Sequence, residues 1–157
     1  MTFTPNKIDE RIYQNGYISA DEAAILKSMG ITDILNLDLY YFRPERFMGL
    51  GLRIRHILVK DMFPMTDEMA MRVVREIHEA LAPATSKLYV HCNAGTSRSP
   101  TAIWLYYLAL GVSDEEASAR IRSVADYLAA PDPVLVHKLD LGRIRGIYTD
   151  SSGPTLS

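Results

Sequence analysis

The chain has 157 residues, 48% of them hydrophobic, which predicts one domain with a packed core. A formal net charge of −2 argues against general nucleic-acid binding, and a single cysteine excludes an internal disulfide framework. No apolar run reaches membrane-spanning length and the first five residues carry no signal-peptide pattern, so no membrane partner and a reducing, cytoplasmic location are expected.

In chain order, Ile12-Tyr13 and Tyr17-Ile18 are short apolar steps split by Asn15-Gly16, a hairpin signal. Ser19 with Glu22 three residues on reads as a capping box. The helix it opens has Ile25, Leu26 and Met29 as its apolar face, and Gly30 ends it. Residues 31–37 read as a mostly buried strand. Residues 40–51 are expected to form a solvated connection, carrying Tyr40, Tyr41, Phe42, Arg43 and Arg46; a rim for a phosphorylated partner is the functional alternative. Residues 53–59 alternate as a strand and lead into Lys60-Asp61-Met62-Phe63-Pro64.

Thr66 then reads as a helix cap and Asp67 as a first-turn carboxylate serving the helix dipole. Met69, Val73, Ile77 and Leu81 recur at four-residue steps, an inward stripe. Met62, Met65, Met69 and Met71 read as core filling rather than ligands. Beyond Pro83, residues 87–90 form a buried, β-prone run, and residues 101–111 read as a helix apolar nearly all round. Ser113 with Glu116 suggests a second capping box, followed by an inward face of Ala117, Ile121, Val124 and Leu128. A last helix is expected from Asp132-Pro133, with Leu135, Leu139 and Ile147 inward. His56, His78 and His137 lack metal-ligand spacing, so no metal and no cofactor are expected.

Between the buried strand and the apolar helix lies His91-Cys92-Asn93-Ala94-Gly95-Thr96-Ser97-Arg98-Ser99-Pro100. Asn93, Ala94, Gly95, Thr96 and Ser97 are small or polar, so their backbone amides can converge on one point at a helix N-terminus and bind an anion. The same field favours a thiolate at Cys92. Arg98 offers a planar fork to two phosphate oxygens, and Ser99 a hydroxyl to the sulfur. A nucleophilic sulfur under a phosphate-shaped cradle implies in-line attack on phosphorus and a phosphocysteine intermediate. His91 is expected to order the loop from behind. Releasing an alcohol or phenol needs an acid from elsewhere in the chain, and Asp61 is the candidate, with Asp67 its rival.

This stretch resembles the His-Cys-x5-Arg-Ser/Thr signature of the cysteine-dependent protein phosphatases, and its Ala-Gly-x-Ser-Arg-Ser-Pro form is similar to the dual-specificity branch. The opening hairpin, helix and Gly-Ile-Thr…Leu-Asn-Leu strand resemble the start of that domain, and Asp61, 31 residues before Cys92, matches where similar phosphatases carry their aspartate loop. The resemblance spans residues 8–148 and implies a small, single-domain, atypical dual-specificity phosphatase. An N-terminal arm at residues 1–7 and a flexible tail at residues 149–157 complete the expected organisation. Alternating strands and helices predict an α/β fold, with a central, mostly parallel sheet of about five strands flanked by helices on both faces.

The expected function is metal-independent hydrolysis of phosphotyrosine and of phosphoserine or phosphothreonine in a protein or peptide. The loop has no Lys or Arg between Cys92 and Arg98, which disfavours a polyphosphorylated inositide; a glucan or RNA 5′-phosphate is a further alternative substrate. Two other classes are a catalytically silent phospho-binding module and a sulfur-transfer or arsenate-reducing enzyme. The presence of Cys92, Arg98 and Asp61 together weighs against the first, and the lack of a second cysteine against the other.

Overall fold

Among the residues that the structure describes, five strands pair in the spatial order β1-β2-β5-β3-β4. They are β1 (Asn6–Lys7), β2 (Ile12–Asn15), β3 (Asp33–Asn36), β4 (Arg53–His56) and β5 (Leu88–His91). The computed structural model describes residues 3–38, 47 and 49–149, and these are the described residues below. The pairings β2–β5, β5–β3 and β3–β4 are parallel, and only the β1–β2 edge is antiparallel. The helices are α1 (Ala20–Ser28), α2 (Asp67–Ala80), α3 (Arg98–Ala109), α4 (Asp114–Val124) and the single turn α5 (Pro133–Val136), followed by a 3-10 turn at Leu141–Arg143.

The pleat sends successive side chains to opposite faces, and both faces are covered. Ile12, Leu35, Leu88 and Val90 enter the larger core with Val73 and Ile77 of α2, the whole of α3 from Ala102 onward, and Ala117 and Ile121 of α4. Their neighbours Tyr13, Ile34 and Tyr89 point the other way and pack with Ala23 and Leu26 of α1. This two-sided burial explains why the central strands read as unbroken apolar runs. All twelve residues of α3 are buried, as its sequence predicts.

Several local signals are realised as hydrogen bonds. Ser19 Oγ accepts from Glu22 N at 3.1 Å, and Glu22 Oε1 accepts from Ser19 N at 2.9 Å. Thr66 Oγ1 accepts from Met69 N at 3.1 Å, and Ser113 Oγ from Glu116 N at 3.2 Å.

Other expectations are corrected. Asn15-Gly16 is not a hairpin turn. The hairpin joins β1 to β2 at residues 8–11, where Asp9 Oδ1 accepts from Arg11 N at 2.7 Å and Ile12 N at 2.8 Å. Gly16 is needed for close approach instead, since a Cβ there would lie 2.5 Å from Asn93 O. Asn6 and Lys7, within the segment expected as an arm, form the edge strand β1. Ile25 and Met29 are more than a third exposed, because α1 turns only Ala23 and Leu26 fully to the sheet. Met62 lies on the surface rather than in the core, while Met65 is buried. The last helix is one turn, not a long element, and Ile147 beyond it is exposed. Tyr40, Tyr41, Phe42, Arg43 and Arg46, and residues 150–157, lie outside the described residues. Among the described residues no helix is long and apolar enough to cross a membrane.

Candidate active site

The four mutually parallel strands run in one direction, so their C-terminal ends share one edge of the sheet, where α/β proteins form ligand sites. Cys92 follows β5 there. Asn15 ends β2 beside it, paired with His91, and Asn36 of β3 pairs with His91 from the other side. Asp38 follows β3. Beyond β4 the ladder continues through Ile57 N to Asn36 O and Val59 N to Leu37 O, and delivers Asp61 to the same edge.

Protein partners hold the loop from outside. Asn93 O accepts from Tyr17 N at 2.9 Å, Gly95 O from Gln14 Nε2 at 2.6 Å, and Thr96 O from Ala129 N at 2.9 Å. In a trans peptide the N–H points opposite to the carbonyl, so Ala94, Thr96 and Ser97 turn their amides away from these partners. Gly95 has φ +76°, and a Cβ there would lie 2.5 Å from Gly16 N. Only glycine adopts this conformation cheaply and leaves β2 room to close on the loop. Ser97 makes no side-chain cap to α3. Its hydroxyl donates to Asp132 Oδ2 at 2.5 Å instead, and the residue at the third helical position is Pro100, which has no N–H to cap. The first turn of α3 therefore keeps its partial positive charge for an anion.

Cys92 is buried, its Sγ 3.3 Å from Ser99 Oγ. Arg98 is buried as well. Its Nη1 donates to Asp38 Oδ1 at 3.0 Å and to Val59 O at 2.9 Å, and its Nε lies 3.6 Å from Asp61 Oδ1. Asp61 keeps more than half of its side chain in solvent, on a turn whose next residue, Met62, is held at φ +56°. Asp67 is occupied elsewhere, accepting from Asp140 N at 2.8 Å and Arg143 Nη1 at 3.2 Å.

His91 Nδ1 lies 3.3 Å from Cys92 O, and the ring packs near Tyr17 and Tyr89. Burial, the largest influence, lowers its pKa to about 4, so the ring is neutral near pH 7. Among the described residues no group of three or more metal-binding side chains occurs.

The structure thus gathers Cys92, Arg98, Ser99, Asp61 and the loop at residues 93–97, with His91 behind them. It adds three residues that the sequence reading missed. Asp38 clamps the guanidinium, Gln14 braces both Gly95 and Ser99, and Asp132 draws the Ser97 hydroxyl outward. Asp38 had one faint signal, a carboxylate directly after a buried strand. Gln14 had a similar one, an amide directly after the apolar step Ile12-Tyr13.

A family model described as "PTP-SAK: Swiss Army Knife protein, DSP-PTPase phosphatase domain" matches residues 17–137. Among curated proteins, human dual specificity protein phosphatase 26 is 30% identical over 100 residues, covering 62% of this chain and 47% of the relative. The chain thus spans about half the length of the curated relatives it matches. Among solved structures, PTPMT1 in complex with PI(5)P has a TM-score of 0.74 at 17% identity, covering 93% of this chain and 92% of the other. TpbA of P. aeruginosa in complex with pTyr has a TM-score of 0.71 at 12% identity, covering 94% and 91%. These two likenesses show a shared fold.

Proposed function

The chain belongs to the DSP-PTPase phosphatase domain family, and from that premise we propose that it hydrolyses phosphotyrosine, and phosphoserine or phosphothreonine, in protein or peptide substrates through a phosphocysteine. One observation carries the reading: a buried cysteine at a strand end faces an uncapped helix start, while a buried arginine links that loop to an exposed aspartate.

The Cys92 thiolate attacks phosphorus in line with the departing oxygen. Loop amides and Arg98 hold the three equatorial oxygens, whose charge is spread in the transition state. Asp61 gives a proton to the leaving oxygen, then takes one from the water that hydrolyses the phosphocysteine. Its exposure suits a group that must meet both substrate and water. Asp38 and Val59 O hold Arg98 in place before substrate arrives, so less reorganisation remains for the reaction. Amides and guanidinium supply the positive field, and the scheme requires no metal. A lone thiol suits a reducing compartment such as the cytoplasm.

A phosphoinositide is the second reading, favoured by the bound lipid of the PTPMT1 structure. The absence of Lys and Arg from residues 93–97 weighs against it, because several phosphates ask for several cations.

The deciding experiment measures hydrolysis of p-nitrophenyl phosphate, phosphotyrosine and phosphothreonine peptides, and PI(5)P, with chelator present. Turnover of the peptides without metal, abolished in Cys92→Ser and accompanied by trapped phosphate on Cys92, is expected. Dependence on added metal, or turnover of the inositide alone, would overturn the proposal.

A further inference from the structure

Gln14 lies on β2, is fully buried, and stands 85 residues from Ser99 in sequence, yet touches it. Its Nε2 is 2.6 Å from Gly95 O and 2.7 Å from Ser99 Oγ. A backbone carbonyl only accepts, so the amide nitrogen must be the atom facing Gly95. Asn6 Nδ2 donates to Gln14 Oε1 at 3.1 Å, in keeping with that orientation. Both hydrogens of the Gln14 amide are then committed, one to Gly95 O and one to Ser99 Oγ.

Ser99 must therefore accept from Gln14, and its own single hydrogen is directed elsewhere. Two acceptors lie within reach: Cys92 Sγ at 3.3 Å and Asn15 O at 3.5 Å. Hydroxyl-to-oxygen bonds run about 2.5–3.0 Å, so the carbonyl is too far for a good bond, while the larger sulfur is at a normal distance. The Ser99 hydroxyl points at the sulfur. A Ser99 free of Gln14 would divide its hydrogen between Cys92 Sγ and Asn15 O, and its donation to sulfur would be intermittent.

We propose that Gln14 is a positioning residue for the second half of the reaction: it turns the Ser99 hydroxyl into a dedicated donor to Cys92 Sγ. The proposal rests on the phosphocysteine reading above. In that half, water oxygen bonds to phosphorus and the P–S bond breaks. Its electron pair stays on sulfur, and the water proton passes to the Asp61 carboxylate. Ser99 keeps its proton and donates a hydrogen bond to the sulfur as negative charge returns there. A bond to a charged acceptor is stronger than a neutral one, so it favours sulfur departure selectively.

Stopped-flow and quenched-flow kinetics on p-nitrophenyl phosphate, with Gln14→Met and Gln14→Glu, separate the two steps. Met removes the donor at similar length. Glu keeps the shape and accepts, so the Ser99 hydrogen turns to it and away from sulfur. Phosphoenzyme should accumulate in whichever variant folds, with a burst approaching one product per site. Steady-state kcat should fall about tenfold while kcat/KM stays within about twofold. In a Ser99→Ala background the same changes should add less than about twofold. Equal losses in kcat and kcat/KM without a burst, or an undiminished effect in the Ser99→Ala background, would overturn the proposal. Turnover by the unaltered protein that persists in Cys92→Ser would instead remove the parent reading.

Discussion

Asp38 Oδ1 lies 3.0 Å from Arg98 Nη1, with 8% and 5% of the two side chains exposed. Charges this deep are stable only when paired, and removing one partner of a buried pair costs about 3–5 kcal/mol. The pair joins the segment after β3 to the first residue of α3, so it also sets where the guanidinium waits for phosphate. Asp38→Ala is expected to lower the stability by that order in urea denaturation and to reduce kcat/KM about 10–100-fold, with a weaker affinity for vanadate. Unchanged vanadate affinity would show that Arg98 needs no such anchor.

Gly95 combines φ +76° with a backbone neighbour, so two costs coincide on substitution. The left-handed conformation alone costs an L-residue roughly 1–2 kcal/mol. The Cβ of Gly95→Ala would also press on Gly16 N at 2.5 Å, and that atom belongs to backbone. The loop must give way. Activity toward p-nitrophenyl phosphate should fall at least about 100-fold, because a 1 Å misplacement of a catalytic loop has that effect. Thermal unfolding of the same variant should show only a modest drop.

Asp61 is exposed and 3.6 Å from Arg98 Nε, near enough to share the substrate with it. Asp61→Asn cannot give or take a proton. Its effect on kcat/KM, which reports the step that expels the leaving group, should depend on that group: small for p-nitrophenol, which leaves unaided, and about 100-fold or more for a phosphothreonine peptide. Equal losses in kcat/KM on both substrates would assign the acid to another residue.

His91 makes stability depend on pH. Its folded pKa is about 4 against an ordinary value of 6.5, with burial as the main cause. Between these values the unfolded chain binds more protons, so stability is full above pH 6.5 and falls as pH drops towards about 4. The loss is on the order of 3 kcal/mol, since each unit corresponds to about 1.4 kcal/mol. Asp38, His56 and Arg98 also act on the ring, Asp38 opposing the depression and His56 and Arg98 reinforcing it. Urea midpoints at pH 7 and pH 4.5 should differ less in His91→Gln than in the unaltered protein.

Signals confined to a few neighbouring residues proved readable. The Ser19–Glu22 box, the Thr66 cap and the apolar α3 depend on contacts within a turn or two, which the order of residues dictates. The Asn15-Gly16 reading failed for the converse reason. Asn-Gly marks any place where the chain must turn or approach tightly, and here what approaches is the loop at residues 93–95, not the next strand. The long last helix failed similarly, because its apolar residues are spent on separate short turns.

The sequence by itself determined the strand, the tight loop from Cys92 to Arg98 and the buried helix behind it, because strand, turn and helix preferences act between near neighbours. Only the tertiary structure decided what surrounds them. The sheet order sets β2 and β3 on either side of β5, which brings Gln14 to Ser99 and Asp38 to Arg98 across 85 and 60 residues. Strand order is fixed by the burial of two opposite faces, a collective property that no single stretch of the chain carries.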